Sequence, residues 1–184
     1  MRVNKCLLSS MSARHLGRSA LITNEKAGRV MIQSKRIYIC AGFIWCLLFA
    51  IMSFYWAGGG MIGVKTLGGF IYHQAIEREA SFIAMVWFTG FVKLCGGLFL
   101  LLLLRRWSSI TNRILYFLAL LAGILLFIYG LANVVSLICA GLGLLFLQID
   151  DFAFKWRLYF WEPFWMVGGA LFILAAFKFK REVK

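Results

Sequence analysis

The chain has 184 residues, 62% of them apolar, 17% aromatic and 15% charged, with a mean hydropathy of +0.86. Twenty basic side chains against seven acidic ones give a net charge of +13. So few charges cannot cover a water-soluble globule of this size, which excludes that class and makes lipid the solvent.

A hydrocarbon core of about 30 Å takes about 20 apolar residues per helical crossing, so the chain has room for several spans and little else. Stretches such as Leu98 to Leu104 and Ile124 to Ile128 are apolar on every side. That pattern fits helices and not the alternating strands of a membrane barrel. The expected fold is all-α: a polytopic membrane protein, a four-helix transmembrane bundle with a short interfacial helix before the last span.

Residues 1–36 carry eight basic side chains and one acid, Glu25, without an apolar run of helical length. They read as a basic, disordered tail outside the bilayer. A transit or signal peptide shares this composition, but the apolar block that follows is too long for a signal sequence. Met31, just before Gln33-Ser34-Lys35-Arg36, offers an alternative start.

Span one is expected over 37–57 and closes on Phe54, Tyr55 and Trp56, side chains that favour the headgroup boundary. Gly58-Gly59-Gly60 breaks the helix. The segment up to Ala80 mixes apolar residues with Lys65, His73, Glu77, Arg78 and Glu79, which suits a short interfacial helix near Phe70 to Arg78. Span two, 81–104, ends at Arg105-Arg106-Trp107. From Ile114 the chain is apolar for about 35 residues, more than one crossing needs. Span three is placed at 114–136, with 137–147 as a separate short helix at the interface. A further crossing there leaves too few residues to turn within lipid. After a polar break at Gln148 to Asp151, span four is placed at 159–178, followed by a basic tail, 179–184.

The charges orient the bundle. The N-terminal tail, the turn from Arg105 to Arg113 and the C-terminal tail hold fifteen basic residues and two acids, while the opposite side holds four basic residues and five acids. The positive-inside rule places both termini in the cytoplasm. The net charge then reflects topology and attraction to anionic lipid at the cytoplasmic face, with no nucleic-acid partner.

Lys93 is the one charged residue deep in a span, roughly 18 Å from either face by helix rise. Thr89, Gly90, Gly96 and Gly97 share its stripe, which turns it toward the bundle interior. Side chains lean toward the helix N-terminus, so Lys93 points to the external half of the membrane. Its available partners there are Tyr129 and Asn133 on span three and Glu162 at the mouth of span four. Burying such a group costs on the order of 2.5 to 3.5 kcal/mol on insertion scales. Two readings stand open: a functional site, or a structural lysine bonded to backbone carbonyls.

Glu162-Pro163 reads as a helix start, with proline at the first helical position and an acid at the positive end of the dipole. Gly168, Gly169, Ala175 and Ala176 form a small-residue stripe suited to packing. The turn from Tyr55 to Gly60, with Trp56 and Gly58, and the segment from Trp161 to Trp165, with Glu162, meet the same external boundary. Together they form either a mouth for a lipid or apolar molecule or a simple interfacial belt. His73 and Glu77 share a helical face but lack the further ligands a metal site needs. Five cysteines show no paired spacing, so no metal or other cofactor and no catalytic residue is expected.

The segments Phe54-Tyr55-Trp56-Ala57-Gly58-Gly59-Gly60 and Tyr159-Phe160-Trp161-Glu162-Pro163-Phe164-Trp165-Met166-Val167-Gly168-Gly169 resemble the small bacterial membrane proteins of the domain-of-unknown-function 3995 family. The likeness covers about Ile37 to Lys178. It implies a four-span protein of the bacterial cytoplasmic membrane and supplies no activity; the long basic N-terminus and Lys93 are departures from it.

Three classes follow. The first is a non-enzymatic protein that binds a membrane-protein partner or a lipid-like ligand at its external aromatic mouth. The alternative is a small transporter, assembled as a homo-oligomer, in which Lys93 attracts an anionic substrate. An intramembrane enzyme ranks last, because no acid, base and nucleophile lie within reach of one another.

Overall fold

A computed structural model describes residues 33–105 and 107–183, with side chains to residue 180. Most of the basic N-terminal tail, with the choice between Met1 and Met31, lies outside these residues. Among the described residues, four helices are long and apolar enough to cross a membrane: Gln33–Ala57, Ala80–Leu102, Ser109–Gly141 and Asp151–Lys180. We call the first three α1, α3 and α4. Between α1 and α3 lie a 3₁₀ turn, Val64–Thr66, and the short helix α2, Gly69–Glu77. The last long helix starts as α5, Asp151–Trp156, passes through a π-helical turn, Arg157–Trp161, and continues as α6, Glu162–Val183. No strand occurs among the described residues.

Local chemistry sets the boundaries. Ser108 accepts the Thr111 amide proton and opens α4, and Asp150 accepts that of Ala153 and opens α5, each satisfying an amide at a helix start. After α1 the chain turns sharply at Gly59, with φ of 104°. A Cβ there would lie 2.5 Å from Arg78 Nη1, so only glycine suits both the backbone and the close approach.

The helices pack antiparallel in the order α3, α1, α6, α4. Along α1 and α3, Gly42 meets Leu100, Gly97 meets Cys46, and Gly90 meets Phe54. Along α1 and α6, Trp45 lies over Gly168 and donates its indole N–H to the Phe164 carbonyl at 3.0 Å. Along α6 and α4 the backbones themselves touch at Gly123, Gly130 and Gly169, where an added Cβ would come within 2.5 to 2.9 Å of backbone atoms. Without water to drive helices together, small residues that permit this approach supply the packing. Lys35 over the Phe179 ring and Lys178 over the Tyr38 ring put the start of α1 beside the end of α6. The first and last long helices therefore begin and end at the same end of the bundle. The outer faces of α3, α4 and α6 carry exposed apolar side chains such as Phe88, Leu98, Leu125 and Val167, as lipid contact requires.

The structure corrects two sequence readings. Residues 137–147 are not a separate interfacial helix: α4 runs unbroken to Gly141, and the chain is then irregular as far as Asp150. Ser136 gives its hydroxyl proton to the Ala132 carbonyl one turn back at 2.8 Å and no proline interrupts α4, so the helix ends only at the glycines, with Gly143 at φ of 75°. The short helical piece in this region is α5, which runs on through the π turn into α6 as part of the last long helix. Nor is Glu162-Pro163 a helix start. The helix already begins at Asp151, and the wider π turn just ahead of Pro163 accommodates a residue that cannot donate to the ladder.

Candidate functional site

The 3₁₀ turn, α2 and the first turns of α3 form a cap over one end of the bundle. Two indoles fasten it. Trp161 on the π turn donates to Thr66 Oγ1 at 2.8 Å, and Trp56 at the end of α1 donates to the Ile62 carbonyl at 2.8 Å. Beneath the cap is a cavity of about 200 Å³. Its mouth is formed by Trp56, Leu67, Ile71, Arg78 and Trp161, its wall by Phe82, Val86 and Thr89 of α3, and its floor by Phe49, Ser53, Lys93 and Trp165.

Lys93 owes its place to antiparallel pairing, which sets it opposite Ser53. Its Nζ donates to Ser53 Oγ at 2.7 Å, and Ser53 passes its own proton back to the Phe49 carbonyl one turn earlier at 3.1 Å. The ammonium also sits 4.2 Å from the Phe49 ring centroid and 5.6 Å from that of Trp165, where the ring faces attract a cation. Phe49 and Trp165 pack at 4.6 Å between centroids, and Tyr129 of α4 meets Trp165 edge-on at 5.2 Å. The floor is thus an aromatic cradle for one cation.

Glu162 is 3% exposed. It is held by Arg157, whose Nε and Nη2 lie 3.0 and 2.8 Å from Glu162 Oε1. The π turn brings these two residues together five positions apart. Among the described residues no carboxylate pairs with Lys93; of the partners the sequence offered it, Glu162 is taken by Arg157, and the hydrogen bond goes to Ser53 instead. Arg78, in the left-handed conformation at the end of α2, points Nη2 at the Ala57 carbonyl, 3.5 Å away. The cavity therefore faces three cations and one carboxylate, and that carboxylate is already paired.

Of the residues singled out from the sequence, Trp56, Lys93, Tyr129, Glu162 and Trp165 line this one cavity. Gly58 does not; its amide closes α1 on the Phe54 carbonyl at 2.9 Å. Asn133 lies one turn beyond Tyr129, outside the lining, with a buried Nδ2 that has no hydrogen-bond partner. Sequence reasoning missed Phe49, Ser53, Arg78 and Arg157, which also line the cavity. Ser53 carried a usable signal, as one of the few polar residues within an otherwise apolar span. Among the described residues, no group of three or more His, Cys, Asp or Glu side chains is placed to hold a metal ion.

Fold and site together define a small multi-span helical membrane protein with a capped, aromatic cavity at one end of its bundle. The chain belongs to the family described as protein of unknown function (DUF3995), whose family model matches residues 46–172. That stretch takes in α1 from Cys46, the cap, α3, α4 and the π turn, and hence the whole cavity lining. Comparison with curated proteins and with solved structures gave no match.

Proposed function

We propose that this protein is a non-enzymatic binding protein of the cytoplasmic membrane, which holds a lipid-like or apolar ligand in the cavity beneath its cap. With both termini cytoplasmic, as the charge distribution favours, the cavity opens near the external face. The observation that carries the reading is the lining itself. Apolar and aromatic walls with a few convergent polar groups, roofed by a short helix and open at one side, are what a ligand pocket requires. An interfacial aromatic belt would project into the headgroups. Here Phe49, Trp161 and Trp165 turn inward and pack on one another instead.

Binding is favoured over passage because the other half of the bundle is closed. Below the floor, Ile39, Leu100, Leu103, Ala119, Phe172, Ala175 and Phe179 form a buried apolar core.

The test uses the full chain in lipid nanodiscs, photolabelled with a diazirine-bearing octanol. The expected result is label concentrated on peptides of α1, α3 and α6 that line the cavity, and reduced by Val86→Phe, which fills it. Label spread evenly over the lipid-facing surfaces, unchanged by Val86→Phe, would contradict the reading.

A further inference from the structure

We infer that the cavity selects a small apolar monoanion, a carboxylate on a short alkyl or aryl body, with its head on Lys93 at the floor. This rests on the ligand-binding reading above and specifies its ligand.

The charge balance comes first. Lys93 and Arg78 face the cavity without a carboxylate of their own, while Glu162 is consumed by Arg157. An anion is therefore attracted at the mouth by Arg78 and stabilised at the floor by Lys93. A cation would meet like charge at both points. In an apolar, lipid-surrounded cavity such charge interactions are much stronger than in water.

Donor inventory narrows the head group. At the floor and lower wall, Ser53 gives its proton to the Phe49 carbonyl and Thr89 gives its own to the Val86 carbonyl at 2.9 Å. Tyr129 also lines the cavity, but its residue is 53% exposed and its hydroxyl carries no charge to offer an anion. Lys93 is the charged donor at the floor, with three N–H bonds of which Ser53 takes one. One ammonium among ring faces matches a compact monoanion. A phosphate, with more charge and more oxygen atoms to satisfy, would leave several of them without donors in an apolar wall.

Volume sets the body. An apolar cavity of about 150 Å³ takes benzene, and drug-sized ligands need about 300 Å³ or more. At about 200 Å³ the cavity suits about eight to ten non-hydrogen atoms. Its wall of Phe82, Val86, Leu67 and Ile71 accepts the alkyl or aryl part, between a head on Lys93 and a tail directed toward Trp56 and Trp161.

The experiment measures saturable quenching of tryptophan fluorescence in nanodiscs bearing the full chain. The probes are 6-bromohexanoate, 6-bromohexan-1-ol and 6-bromohexylammonium, with Val86→Phe protein correcting for partition into lipid. Wild-type protein should bind the carboxylate about tenfold or more tightly than the alcohol, and the ammonium more weakly than either. In Lys93→Met protein, an apolar replacement of similar length, the carboxylate and alcohol affinities should agree within about twofold. Equal affinity of the two probes for wild-type protein would overturn the anion assignment while leaving the cavity as an apolar binding site. A preference that survives Lys93→Met but vanishes in Arg78→Met would overturn the placement of the head. Absence of saturable quenching by all three probes would remove the ligand-binding reading itself.

Discussion

Lys93 on α3 and Ser53 on α1 are forty positions apart in the chain and joined by a 2.7 Å hydrogen bond inside the bundle. The bond stitches the two helices together at the depth where an unpaired charge is least tolerable. Ser53→Ala should therefore destabilise the fold by about 1 to 2 kcal/mol, because the ammonium loses its hydrogen-bond acceptor. Lys93→Met should unfold no more easily than wild type. In that background the effect of Ser53→Ala should fall to a few tenths of a kcal/mol, roughly the scatter of additive pairs. Equilibrium unfolding of the four proteins in mixed micelles measures the coupling directly. Equal effects of Ser53→Ala in both backgrounds would mean that the bond contributes nothing.

The α4–α6 seam predicts a difference between glycines of the same bundle. A Cβ on Gly169 would lie 2.5 Å from the Phe127 amide nitrogen, whereas one on Gly96 would meet the Phe172 ring edge at 3.7 Å. The first approach is to backbone, which cannot step aside. Gly169→Ala should lower stability by about 1 to 3 kcal/mol through overpacking, and Gly96→Ala should change it by less than about 0.5 kcal/mol. Thermal unfolding in detergent, followed by near-ultraviolet circular dichroism, separates the two.

The Arg157–Glu162 pair can be tested by breaking it from one side and then from both. Glu162→Gln leaves a partly buried guanidinium beside a neutral amide and should cost about 3 kcal/mol. Replacing both residues by leucine removes the uncompensated charge, and the double variant should recover to within about 1 kcal/mol of wild type. If the double variant is no more stable than the single one, the π turn depends on the ion pair for its geometry.

Both ends of the described helical bundle emerge together, so reporter fusions should agree with one another. Green fluorescent protein fused after Lys184 should fluoresce, and alkaline phosphatase inserted at Glu79, in the turn between α2 and α3, should be active. That expectation rests on the basic excess at the end of the bundle opposite the cap and the slight acidic excess around the cap. Reversed activities would put the cap and its cavity in the cytoplasm.

The number and approximate placement of the long helices were legible in the sequence because lipid demands continuous apolar runs, and such runs are local in the chain. The end of α4 was not. An apolar stretch longer than one crossing carries no mark of where its helix stops, and the decision fell to the backbone freedom of Gly143. The inward placement of Lys93 was likewise readable from its depth and its stripe of small residues, and Trp56, Tyr129 and Trp165 were legible as side chains toward the same end of the bundle. Its partner was not, because the choice between Glu162 and Ser53 depends on helix register and on a π turn. Hydropathy is blind to both, and the five-residue separation of Arg157 from Glu162 fits no α-helical spacing rule.

The most direct test of the whole account is a structure of the protein with 6-bromohexanoate, using the anomalous signal of bromine to find the probe. The account predicts one bromine peak beneath the cap, near Trp56 and Trp161, with a carboxylate oxygen about 3 Å from Lys93 Nζ. Bromine found only on the lipid-facing surfaces, with the aromatic floor closed over Lys93, would contradict it.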